Sequence, residues 1–127
     1  MAPNRKERTL VAEHVETVAE IDPEDTKIVT LARSGRARTS ATEGAAVRDT
    51  DGRTYAACTV ALPSLKLTAL QAAVAAAVAS GAEGLEAAAV VTDSAEPDAE
   101  SLAAVRDLGP EAPVLLADAQ GTVRSRH

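Results

Sequence analysis

Seven of the eleven residues from 69 to 79 are alanine, in the run ALQAAVAAAVA. Alanine has the highest intrinsic helix propensity, because it fixes no side-chain rotamer and buries no polar group. This stretch is therefore a helix before anything else in the chain is considered. It is also thin. An alanine face lets a neighbouring element come close but contributes little apolar area, at roughly 25 cal/mol per Å² buried. The rest of the chain has no bulk to compensate: of 127 residues none is Phe or Trp, one is Tyr (Tyr55) and one is Met. A core built from this sequence is closely spaced Ala, Val, Leu and Ile. A monomer with so little buried area is expected to gain stability from self-association.

The order of elements around that helix sets the fold class. Residues 9–21 carry Leu10, Val11, His14, Val15, Val18 and Ile21 at roughly helical spacing, with Thr9 as candidate cap. Their alternation with glutamate also suits a strand. Asp22-Pro23-Glu24-Asp25 starts a helix, with an N-cap aspartate and proline at the first helical position. Ile28, Val29, Leu31 and Ala32 form its apolar face, and Gly35 is expected to end it, leaving 35–42 as a polar connection. Residues 44–49 and 54–60 are strand-like and flank Asp51-Gly52, a strong hairpin signal. The alanine-rich helix is predicted over 65–81, capped by Ser64 and stopped by Gly81. Residues 85–92, LEAAAVVT, form the continuous apolar run of a strand covered on both faces. A helix from an Asp98 cap to Leu108, closed by Gly109-Pro110, precedes a second buried strand at 114–117. A turn at 118–121 and an edge strand at 122–126 complete the chain. A hairpin followed by crossover helices gives an α/β fold, a three-layer α/β/α sandwich around a mixed five-stranded sheet. Residues 1–8 are polar and expected to be flexible, and 9–127 to form a single domain.

The net charge of −6 argues against a general nucleic-acid binder, which needs a basic surface. Arg33, Arg36 and Arg38 surround Gly35, where cations suit a helix C-terminus. An anion or RNA contact is the alternative, and it lacks an aromatic residue on which a base would stack. The single cysteine, Cys58, excludes an intrachain disulfide, reads as a small buried hydrophobe and fits a cytoplasmic location. The N-terminus has charges scattered among its apolar positions and no signal-peptide core. No apolar run reaches the ~20 residues of a membrane span, so no membrane partner is expected.

The run GAAVRDTDGRTYAACTV, the Leu67-Thr68 step into the alanine-rich helix, and the order of elements together resemble the small cytidine deaminase family over residues 21–125. The resemblance implies a zinc cofactor and a set of residues to hold it. A Cys or His near the start of the alanine-rich helix binds zinc, a Glu two residues on moves the proton, and a Cys-x-x-Cys pair at the next helix completes the metal site. Zinc then lowers the pKa of a bound water for attack on the pyrimidine ring. Here the first ligand position is Leu70, the glutamate position Ala72, and the Cys-x-x-Cys positions Leu102 and Val105, with Arg106 continuing the match. Cys58, His14 and His127 are the only Cys or His residues in the chain, and shifting the alignment by a residue or two restores no ligand set. The family's sugar-binding run Asn-Val-Glu-Asn reads Thr59-Val60-Ala61-Leu62, and the aromatic residue before the Gly-Ala-Ala strand reads Ala41.

The expected protein is thus cytidine deaminase-like without zinc site, catalytic glutamate or cofactor, and leans away from being an enzyme. A structural or partner-binding role fits, the partner protein being unnamed by the sequence; the resemblance implies that the alanine-rich helix helps assemble a homo-oligomer, a dimer or tetramer, and the thin core points the same way. An active zinc-dependent deaminase with unrecognised ligands is one alternative. A nucleoside or small-ligand binding module without turnover is another, with a pocket formed by Glu43, Thr59, Thr68 and Gln71. Leu70, Ala72, Leu102 and Val105 are expected to pack against one another as core filling, the alternative being a small apolar cavity. Glu43 reads as a solvated edge carboxylate; a functional acid there needs a partner such as Arg36 or Arg38. His14 is expected to pack or sit at an interface and His127 to be a mobile terminus. Asp93, Glu96, Asp98 and Glu100 read as a solvated, capping acidic rim rather than a hard-cation site.

Overall fold

The computed structural model describes residues 21–127. The expected flexible segment 1–8, all but the last residue of the helix expected at 9–21, and His14 lie outside the described residues. The elements run α1 (Pro23–Thr39), β1 (Gly44–Asp49), β2 (Thr54–Cys58), β3 (Val60–Leu62), β4 (Leu65–Leu67), α2 (Ala69–Ala79), β5 (Leu85–Val91), α3 (Ala99–Leu108), β6 (Val114–Ala117) and β7 (Val123–Arg126). Five strands form one mixed sheet in the order β2-β1-β5-β6-β7. Only the β5–β6 pair is parallel, joined through α3; β1 runs antiparallel to both its neighbours. No helix among the described residues is long and apolar enough to cross a membrane.

The pleat divides the core into two faces. Ala45, Val47, Ala88, Val90, Val114 and Leu116 turn to the side carrying Leu70, Ala73 and Val105 of α2 and α3. Ala46, Ala87, Ala89, Val91, Leu115 and Ala117 turn to the side carrying Ile28, Val29 and Ala32 of α1. The sheet is therefore the middle of three layers, as the apolar runs at β5 and β6 imply. Small residues set the spacing. A Cβ on Gly44 would lie 2.1 Å from the Ala32 carbonyl oxygen and 2.9 Å from the Arg36 Cβ, so α1 rests directly on the β1 backbone. At the N-terminal end of α1, Arg48 of β1 pairs with Asp25 at 3.0 Å and with Glu86 at 2.7 Å.

Local signals decide most boundaries. Asp22 caps α1, its carboxylate accepting the Glu24 N–H at 2.7 Å. The Asp-Gly hairpin closes with Gly52 at φ 89°, the left-handed conformation that favours glycine. Asp49 holds this turn: Oδ1 accepts the N–H groups of Asp51 and Arg53 at 2.9 Å, and Oδ2 accepts the Tyr55 hydroxyl at 2.7 Å.

Several expectations are corrected. Gly35 does not end α1, which continues to Thr39 and stops at Ser40 with φ 56°. Gly35 is buried, and the site of its missing Cβ lies 3.4 Å from the Cys58 sulfur, so it serves close packing rather than termination. Cys58 is half-buried and its sulfur receives the Thr39 hydroxyl at 3.3 Å, so it is not a fully buried hydrophobe. The helix predicted from residue 65 begins at Ala69. Leu65-Lys66-Leu67 pairs instead with Val60-Ala61-Leu62 as a separate small hairpin, which also shortens β2 to Cys58. Thr68, not Ser64, is the cap: its hydroxyl accepts the Gln71 N–H at 3.1 Å while the Gln71 side-chain oxygen accepts the Thr68 N–H at 2.9 Å. That reciprocal capping box satisfies two otherwise free donors, which a serine four residues earlier cannot do. Asp98 occupies the N-cap position of α3 without a side-chain cap hydrogen bond. His127 is not loose: its N–H and carbonyl both bond Val114 at 2.9 Å, extending the β6–β7 ladder.

Candidate functional site

The N-termini of α2 and α3 meet at one end of the sheet. Ser101, 3% exposed, donates its hydroxyl to the Thr68 hydroxyl at 2.7 Å and so ties the two helix starts together. No sequence motif flags Ser101, because its partner is thirty-three residues away. One turn deeper, Leu70 and Val105 are fully buried in a single apolar cluster, with Leu102 half-buried against it. Ala72 is half-buried and stands outside that cluster, so the expected mutual packing of the four includes only three. An alanine side chain is too short to reach across from its own helix face.

These are the positions at which the resemblance implies zinc ligands and a catalytic glutamate. Leu70, Leu102 and Val105 offer hydrocarbon where a metal needs thiolate, imidazole or carboxylate. Among the described residues there is no group of three His, Cys, Asp or Glu side chains arranged to hold a metal ion. The donor chemistry at this place does not fit a zinc ion, and no step is routed through one.

Beside the capped helix starts lies an open cleft of about 400 Å³. Glu43, Thr59, Thr68 and Gln71, the four residues singled out as a pocket, all line it. Three of them are already engaged. Thr68 and Gln71 close the capping box, and the Thr59 hydroxyl accepts the Glu43 N–H at 3.0 Å and faces the Glu43 carbonyl at 3.3 Å. The fourth differs. Glu43 is not a solvated edge carboxylate: it is 9% exposed, because it sits where β1 enters the sheet. Burial pushes its carboxyl up from the ordinary 4.5. The nearby Thr92 hydroxyl offsets part of this, the negative charge of Asp98 adds to it, and the charge of Arg36 opposes it. Neither expected partner pairs with Glu43. Arg36 binds Asp93 at 3.0 Å and the Ala41 carbonyl at 3.3 Å, and Arg38 is exposed at the end of α1. Arg33 donates to the Ala119 carbonyl at 3.3 Å, so two of the three arginines have structural roles.

A larger hollow of about 520 Å³ lies at the other end of β5, beside Leu85 and Gly109. The cleft at Glu43 is the better candidate. It lies by the loop after the carboxyl end of β5, where open α/β sheets bind their ligands, and it brings a buried carboxylate to two helix starts.

Comparison with known proteins agrees with this geometry. Residues 21–121 match the family described as cytidine deaminase-like. No curated protein matches the chain. Among solved structures, the chain is similar to cytidine deaminase from Burkholderia pseudomallei, with 27% identity and a TM-score of 0.68 over 77% of this chain and 87% of that one. It is also similar in fold to the cytidine deaminase of Mycobacterium leprae, at 24% identity and TM-score 0.61 over 76% of this chain and 88% of that one. With the fold, the order of elements and most of its described length matched, the chain belongs to the cytidine deaminase-like family.

Proposed function

We propose that this protein is a non-catalytic member of its family, a cytoplasmic homo-oligomer whose role is structural or partner-binding. The observation that carries the reading is the hydrocarbon core at the family's ligand positions, where Leu70 and Val105 are fully buried. Replacing one ligand changes a metal site; replacing the ligands, the glutamate and the sugar contacts together removes every group that the chemistry uses. Exposed Leu62, Leu65 and Val78 supply apolar surface for self-association. The test is metal content of the full chain purified from zinc-supplemented culture, together with a cytidine-to-uridine assay. Neither stoichiometric zinc nor turnover is expected, and finding both overturns the reading. Light scattering after size exclusion reads the oligomeric state. A second reading, ligand binding without turnover, is favoured by the buried carboxylate at the cleft.

A further inference from the structure

Three carboxylates line the cleft, those of Glu43, Asp98 and Glu100. None of them forms an ion pair among the described residues, whereas Asp25, Glu86, Asp93 and Asp118 each lie within ion-pair distance of an arginine. Glu43 is nine-tenths buried and forms no ion pair; the charges of Asp98 and of Arg36, the latter held by Asp93 at 3.0 Å, are both felt there with opposite sign. Asp98 is free because it does not bond the helix it caps. Lys66, also on the lining, is exposed and pairs with none of the three.

Two carboxylates that repel each other across a cleft are stabilised by a positive charge between them, and the gain rises as a bound ligand displaces water. A bare metal ion is not the fit, since the described carboxylates are not clustered tightly enough to coordinate one. The hollow of about 400 Å³ also has apolar walls at Val60, Ala61 and Leu67. Polar hydroxyls at Thr42 and Ser94 edge it. That combination suits a charged head on a short hydrocarbon stem, within the ~300–1,000 Å³ range of small-molecule sites.

We propose that the cleft binds a small organic cation, with its primary ammonium group received between Glu43 and Asp98 and its stem lying along Val60 and Leu67. The inference goes beyond the non-catalytic reading and does not depend on it: a failed amine titration leaves the zinc and turnover results unchanged.

The test is calorimetric titration of the full chain at low salt with putrescine and spermidine, against butane-1,4-diol as the uncharged counterpart of putrescine. Saturable binding of at least one amine with a Kd below about 1 mM, no binding of the diol, and a loss of tenfold or more in Glu43→Gln are expected. Asp98→Asn, an exposed position, provides a second variant that weakens binding without touching the core. Circular dichroism confirms that both variants are folded. Equal binding by wild type and both variants means general attraction of amines to an acidic surface and overturns the proposal. So does the absence of saturable binding by either amine.

Discussion

Leu70→Ala is the sharpest test of the claim that the family's first ligand position is now core. Leu70 is 0% exposed and shares its cluster with Ala69, Ala73, Val74, Ala77, Leu102 and Val105. Truncation removes three carbons, a transfer loss of about 2.4 kcal/mol at ~0.8 kcal/mol per methylene. The cavity left behind adds to this, and its size depends on how far the neighbours relax. Here they relax little, because alanine has no rotamer to swing inward and Val74 and Val105 are stiff at χ1. The total is therefore near the upper part of the usual range, about 4 kcal/mol. For a domain of this size that lowers the melting temperature by roughly 15–20 °C. Urea unfolding followed by far-ultraviolet circular dichroism measures it, with the m-value unchanged if only stability moves. Leu70→Met, which conserves volume, costs less than about 1.5 kcal/mol on the same reasoning. A loss below about 1.5 kcal/mol for Leu70→Ala refutes the packing account, because it shows a site that collapses freely or was never filled.

Three further outcomes follow from the same structure. Burial raises the Glu43 carboxyl above 4.5, so the folded state favours the protonated acid; its stabilising contribution is full below that value and is lost as pH rises through the raised one. Wild type therefore loses stability relative to Glu43→Gln as pH rises above the ordinary 4.5, read from paired urea midpoints, and a constant gap contradicts this. The Tyr55 hydroxyl, then burial opposing it and the Arg53 and Asp51 amides assisting it, hold the Asp49 carboxyl below its ordinary 3.8. That contribution is present above 3.8 and lost as pH falls through the lowered value, so Tyr55→Phe should unfold in acid at higher pH than wild type, and coincident acid transitions count against the pairing. Gly44→Ala forces α1 away from β1, since its Cβ has 2.1 Å to the Ala32 carbonyl; a loss of about 3 kcal/mol in urea unfolding is expected, and a neutral substitution means that the helix moves aside freely.

What the sequence disclosed, and what it withheld, divides by range. The N-cap at Asp22, the Asp51-Gly52 turn and the apolar run of β5 depend on neighbours in the chain, and all are legible there. The hydrocarbon character of Leu70, Leu102 and Val105 needs only residue identity, so it too is legible. Choices between similar signals were harder. Ser64 and Thr68 are both of a type that caps helices, and Gln71 at the third helical position decides for Thr68. Gly35 looks like a stop because nothing local shows that Cys58 will press against it. The Thr68–Ser101 hydroxyl pair and the burial of Glu43 depend on elements far apart in sequence meeting at one end of the sheet. No local pattern encodes that meeting.

The hydrogen bond between Tyr55 and Asp49 has an optical consequence. With no Trp and no Phe, Tyr55 is the chain's only intrinsically fluorescent side chain, and its hydroxyl donates to a carboxylate at 2.7 Å. A carboxylate acceptor quenches phenol emission, so the folded protein should be dim and should brighten when the hairpin turn opens. Tyrosine fluorescence in this protein is therefore a local gauge. Compared with circular dichroism during refolding, it times the closure of one turn against the assembly of the helices, without any label being introduced.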